Sequence, residues 1–236
     1  MLTSHRLLPQ YRNTLGRHDV STLLDKRYSG LFLPAPLAEY LNSDSRVMLV
    51  GKETKKWCGE FNDFVKARES DSLDTYIAAG AKAYERFRRY RPGKSQYGQM
   101  LRRTEKHLDL APYSVHWANL YACSFDRGSP IGRPREELDV LERLSIELLG
   151  HQAAMLRPRV MFFVTGHGYD RVVKMFCSEH LGGHQETVYL APKKLWAFMS
   201  NGVLCVRTSH PRYVADLRWR ARALDLIKGH LAESFD

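Results

Sequence analysis

Cysteine is scarce in this 236-residue chain: four residues, none in a Cys-x-x-Cys pair. Disulfide scaffolds are cysteine-dense, so Cys58, Cys123, Cys177 and Cys205 are expected to be free thiols in a reducing, cytoplasmic setting. Long apolar runs are missing as well. Val160–Val164 is one of the longest, far short of the roughly 20 residues that a membrane helix needs. The opening MLTSHRLLPQYRN has no apolar core followed by a small-residue cleavage site, so no secretory signal is expected. Neither GxxxxGK[ST] nor GxGxxG occurs, which removes the usual phosphate-cradling loops. Acid is the scarcer charge: 26 Asp and Glu face 36 Lys and Arg, a formal net charge of +10. A polyanion is the natural partner of such a balance, and nucleic acid is the first candidate.

What is present is enough apolar residue, 44%, to build a core. Residues 1–236 are expected to form one domain, with 1–45 an N-terminal helical region broken by Pro34 and Pro36. Continuous apolar runs at 46–51, 114–122, 159–164 and 203–208 predict buried strands, and 187–191 a minor one. Between them, helices are predicted over 71–91, 95–108, 135–155 and 213–233, with a short one after Gly168. Arg91-Pro92-Gly93 should stop the first of these. For 213–233 the inward stripe is Val214, Leu217, Leu224, Ile227 and Leu231. Alternating strands and helices predict a three-layer α/β/α fold with a central, mostly parallel four-stranded sheet.

In such sheets ligands bind beyond the carboxyl ends of the strands. Four short segments stand there: Val50-Gly51-Lys52-Glu53, His116-Trp117-Ala118-Asn119, Val164-Thr165-Gly166-His167 and Ser209-His210-Pro211. They offer a carboxylate, an amide and an imidazole. A carboxylate can steer water and stabilise a cation, an amide can read a base edge, and an imidazole can donate to a departing negative charge. Cys177, His180 and His184 have a loosely metal-like spacing but no evident fourth ligand, so no metal is expected. Cys58 lies near Glu53 without a sequence-indicated histidine partner. The basic stretches 86–94, 102–107 and 218–222 each read as a solvated helix face, and together with the net charge as a phosphate-contacting surface.

GKETKKW, WANLYA, FFVTGHGYD and TSHPRY, in that order, resemble the four strand-end motifs of the uracil-DNA glycosylase superfamily over about residues 46–225. The resemblance implies a monofunctional DNA glycosylase. Such an enzyme flips a pyrimidine out of DNA and hydrolyses its N-glycosidic bond, without metal or organic cofactor, leaving an abasic site. It implies that Glu53 is the water-orienting carboxylate and His210 the donor to the base. Asn119 would read the base edge, and Trp57, Phe61 or Phe64 would stack on it. Lys52, Lys56, Pro211, Arg212 and Tyr213 would meet DNA, with Val214 following into the groove. Two departures matter. Arg212 replaces the Ser that follows Pro, and Lys55 stands where strict uracil enzymes place a Tyr. An open pocket beside the base C5 atom would admit modified pyrimidines, as in phage defence, beside the default role in base-excision repair. The four cysteines do not fit the iron–sulfur branch of that superfamily. The chain is expected to be a monomer acting on DNA away from membranes. The alternatives are a catalytically silent nucleic-acid-binding module and a hydrolase of free nucleosides or nucleotides.

Overall fold

The apolar runs become strands because their side chains are buried on both faces. The computed structural model describes residues 2–25, 27–90 and 95–233. Two compact units can be distinguished. The first comprises Met1–Ala35, Lys52–Phe87 and Asn119–Met155, the second Pro36–Gly51, Arg88–Ala118 and Leu156–Asp236.

The first unit is helical. It contains α1 (Leu2–Arg17), α3 (Phe61–Glu69), most of α4 (Leu73–Tyr90) and most of α6 (Arg135–Leu156). Helix α1 is fastened to α6 through Glu147, which accepts from Thr14, Arg17 and His18. Helix α3 lies in a stretch given no element by the apolar pattern. It starts where the Glu60 amide donates to the Asp63 carboxylate at 2.9 Å, and it buries Phe61 and Phe64. The N-terminal region is less helical than expected. After α1 it holds a 3-10 turn at Ser21–Leu23, and the described residues from there to α2 (Ala38–Leu41), in the second unit, form no further helix.

The second unit carries the sheet. Its strands are β1 (Val47–Gly51), β2 (His116–Asn119), β3 (Val160–Phe163), β4 (Glu186–Ala191), β5 (Leu195–Ser200) and β6 (Val203–Thr208). The order is β2-β1-β3-β6-β5-β4. Strands β1, β3 and β6 run parallel, while β5 and β4 are added antiparallel. The sheet is therefore mixed and six-stranded, not four-stranded. The four main strands expected are its β2-β1-β3-β6 part, and the minor strand expected at 187–191 is β4. The addition is a meander that returns through Asn201-Gly202, both at positive φ (47° and 77°), the backbone that a tight hairpin turn requires.

Helices α5 (Gln96–His107), α7 (Asp170–His180) and α8 (Leu217–Glu233) flank this sheet. Cross-strand register puts Phe163, Arg207 and Trp196 on one face, and α7 covers it, with Phe176 6.3 Å from the Phe163 ring. A buried ion pair, Arg88 to Glu105 at 2.9 Å, joins the end of α4 to α5. Arg88 thus leaves the solvated face expected of stretch 86–94, and residues 91–94, including the predicted Arg-Pro-Gly stop, lie outside the described residues. Among the described residues no helix is long and apolar enough to cross a membrane.

Candidate functional site

In the first unit, the chain leaving β1 and the chain leaving β2 are tied together. The Tyr121 amide donates to the Lys52 carbonyl at 2.8 Å. That bond sets Glu53, one residue on, beside the exit of β2, where Asn119 is 95% buried. Glu53 and Lys52 are half-buried, while Lys55 and Lys56 are exposed. Further on, the Lys56 amide donates to Ser124 Oγ at 3.1 Å. The turn that follows presses on Gly30: a Cβ there would stand 2.1 Å from the Cys58 carbonyl oxygen, so only glycine fits. Lys52, Glu53 and Lys56 thereby lie on the chain leaving β1, which is tied to the chain leaving β2 just past Asn119.

Two aromatic expectations fare differently. Trp57 is half-buried, its ring 5.1 Å from Phe32 and 5.9 Å from Phe87 in edge-on contacts. Phe64 is a correction. It is fully buried against Phe61 and Tyr76, at ring separations of 5.4 and 6.0 Å, and Phe61 is fully buried too. Neither offers a face to a base, because both belong to the apolar stripe of α3. Cys58 is exposed, but the packing around its sulfur raises its pKa, the opposite of what an activated thiolate requires.

In the second unit, the exits of β3 and β6 are joined by the Gly166 amide donating to the Thr208 carbonyl at 2.9 Å. Gly166 sits at φ 83°, which suits glycine. The β6 exit then makes a tight loop. The Arg212 amide donates to His210 Nδ1 at 3.2 Å. Because Nδ1 accepts, the neutral ring carries its hydrogen on Nε2 and presents a donor. The Tyr213 amide closes the turn on the His210 carbonyl at 3.0 Å.

The element that sequence reasoning missed is Arg220. In 218–222 it reads as one more surface cation, yet it is only 2% exposed. Its Nη1 donates to Tyr213 O at 2.9 Å, Ser209 Oγ at 3.2 Å and His210 O at 3.4 Å. Position 220 lies one turn past the start of α8, on the face toward the loop, and that spacing was the available signal. Above this anchor the loop tip is bare: Tyr213 is 46% exposed, Val214 67% and Leu217 44%. Val214 and Leu217 were expected to face inward, and this is a second correction. Helix α8 begins only at Leu217, after a 3-10 turn at Val214–Asp216, so the inward stripe starts later.

A larger cavity, about 640 Å³, lies over β5 beneath α7. Its wall holds Asp170, Lys174, Trp196 and Arg207. Arg207 is 2% exposed and pairs with Asp170 at 2.7 Å. Burial raises the Asp170 pKa despite Arg207, which pulls the other way. Cys177 and His184 also line this cavity, but among the described residues no group of His, Cys, Asp and Glu is placed to hold a metal ion. Compared with known proteins, the chain matches no family model and no curated protein.

Proposed function

We propose that the chain is a DNA glycosylase that extrudes a pyrimidine, including modified ones, and hydrolyses its N-glycosidic bond. The observation that carries this reading is the His210–Tyr213 loop. A fixed imidazole donor is followed at once by an exposed cationic and apolar tip, and a buried guanidinium anchors both. Base extrusion calls for that combination: a donor to meet charge on the departing base, and a protruding side chain to fill the gap in the stack. Support from the first unit is the Tyr121–Lys52 bond, which holds the loop bearing Glu53 next to the end of β2, where Asn119 stands. Glu53 would stabilise the sugar cation and orient water, and Asn119 would read the base edge. Lys55, exposed, would leave the C5 side of the base open.

The test is a panel of DNAs carrying uracil, mismatched thymine, and plain, hydroxymethylated or glucosylated cytosine, scored for alkali-labile abasic sites. Glu53→Gln keeps the shape and removes the charge. It should slow single-turnover cleavage about a hundredfold or more, with DNA binding nearly intact. Unchanged cleavage in the variant would remove Glu53 from the mechanism. No abasic site on any member of the panel would remove the glycosylase reading.

One observation favours a second reading, a hydrolase of free nucleosides or nucleotides. The cavity over β5 falls in the volume range of small-molecule sites and combines an aromatic wall with cations and a carboxylate. Turnover of monomers, with little dependence on salt, would favour it.

A further inference from the structure

Beside the His210 loop, a smaller cleft of about 210 Å³ is lined by Gln99 and Arg103 of α5 and by Pro211, Val214, Leu217 and Arg220. Two guanidinium groups meet there. Arg220 is buried with Nη1 committed to the loop, while its Nε has no partner. Arg103 is exposed, and no carboxylate among the described residues forms an ion pair with it. Burial lowers the Arg220 pKa, and the neighbouring Arg103 charge lowers it further against the opposing effect of Asp216. Asp216 is itself occupied, 2.9 Å from Lys194. Two like charges at a small cleft repel, and an anion between them turns that repulsion into two charge-assisted contacts.

The anion is argued from what surrounds the cleft. Arg102, Lys106, Arg212 and Arg218 are exposed cations of the same unit, which favours a partner with repeated charges over a lone carboxylate. The planar guanidinium fork suits phosphate oxygens. The exposed apolar atoms of Val214 and Leu217 border the same cleft, where a sugar or base edge would cover them.

We propose that this cleft holds a backbone phosphate of DNA, and that Arg220 transmits its engagement to the His210 loop. The inference rests on the nucleic-acid reading above.

The test compares wild type, Arg103→Ala and Arg103→Lys. Arg12→Ala serves as a control of equal charge change, since Arg12 pairs with Asp74 at 3.3 Å in the first unit. Binding of a short fluorescent duplex is titrated across salt. Arg103→Ala should weaken binding severalfold and make the log–log salt slope shallower by about one, with Arg103→Lys restoring most of it. Arg12→Ala should leave the slope unchanged. Hydrogen exchange at the Tyr213 amide should slow on DNA binding in wild type and less so in Arg103→Ala. Salt-dependent DNA binding with the same slope in Arg103→Ala overturns the inference and leaves the DNA reading standing. Equal slowing at Tyr213 in both proteins overturns the transmission through Arg220. Competition by inorganic phosphate or a mononucleotide as effective as by the duplex shows a site for free phosphate esters and overturns the backbone assignment. Absence of any salt-dependent DNA binding by wild type removes the DNA reading as well.

Discussion

Replacing Arg220 by Met isolates the loop anchor. Methionine keeps an unbranched apolar stem of similar reach and deletes the guanidinium. Nη1 has two hydrogens for its acceptors, of which Tyr213 O at 2.9 Å is the strongest and His210 O at 3.4 Å the weakest. Hydrogen bonds to a charged group are worth roughly 1.5–3 kcal/mol each, so two effective bonds set an upper bound near 3–6 kcal/mol. Two effects reduce it. The variant no longer keeps a desolvated cation, and the freed carbonyls sit in a loop whose tip already meets water, so they can rehydrate. The expected net cost is about 2 kcal/mol, or roughly 4–8 °C in melting temperature for a chain of this size. The larger effect should be local. Without the anchor, the Tyr213 amide should lose exchange protection by a much greater factor than amides of β3 and β6. Differential scanning calorimetry and amide exchange read the two quantities. A melting temperature unchanged within a degree, with Tyr213 still protected, would refute the anchoring argument. Global unfolding before any local change would show that Arg220 belongs to the core of the second unit rather than to its loop.

Two further outcomes are expected. Burial alone would raise the Glu147 pKa, but hydrogen bonds from Arg17, His18 and Thr14 outweigh it and hold the carboxyl at about 2. Its folded pKa lies below its ordinary 4.5, so the stabilisation is present above that pH and lost as pH falls toward about 2. Glu147→Gln should flatten the acid limb of a urea-midpoint-against-pH curve and lower the midpoint at neutral pH; an unchanged limb would refute the clamp. On the glycosylase reading, Lys55→Tyr should impair cleavage of a pyrimidine bulky at C5 while sparing plain uracil, because a ring excludes the substituent and tolerates hydrogen. Single-turnover rates that fall equally on both substrates would take Lys55 out of the pocket wall.

The legible parts of the fold were those governed by local pattern. Runs such as Val160–Phe163 are apolar at every position, which a strand buried on both faces demands, and the strand emerged within a residue of its expected bounds. Helix α4 followed its period, with Leu73, Ile77 and Tyr84 buried. Strand β5 was missed although Asn201-Gly202 between apolar runs is a strong hairpin signal; LWAFMS is apolar at five positions of six and lacks the alternation that marks a strand. Helix α3 was missed because its Lys and Arg residues dilute a short stripe, and the error put Phe64 on the surface.

The sequence by itself determined the alternation of strands and helices, the surplus of positive charge, and the polar residues standing just past the strand ends. These depend on neighbours along the chain, where periodicity and turn chemistry act. Tertiary structure decided what those residues can do. Arg88 and Arg220 look like any other cation in basic stretches, and only packing buried one against Glu105 and the other under the His210 loop. The Tyr121–Lys52 bond that ties the loop bearing Glu53 to the exit of β2 joins residues 69 apart in the chain. Burial and long-range hydrogen bonds are properties of the closed fold, and no local pattern encodes which of several equivalent side chains will receive them.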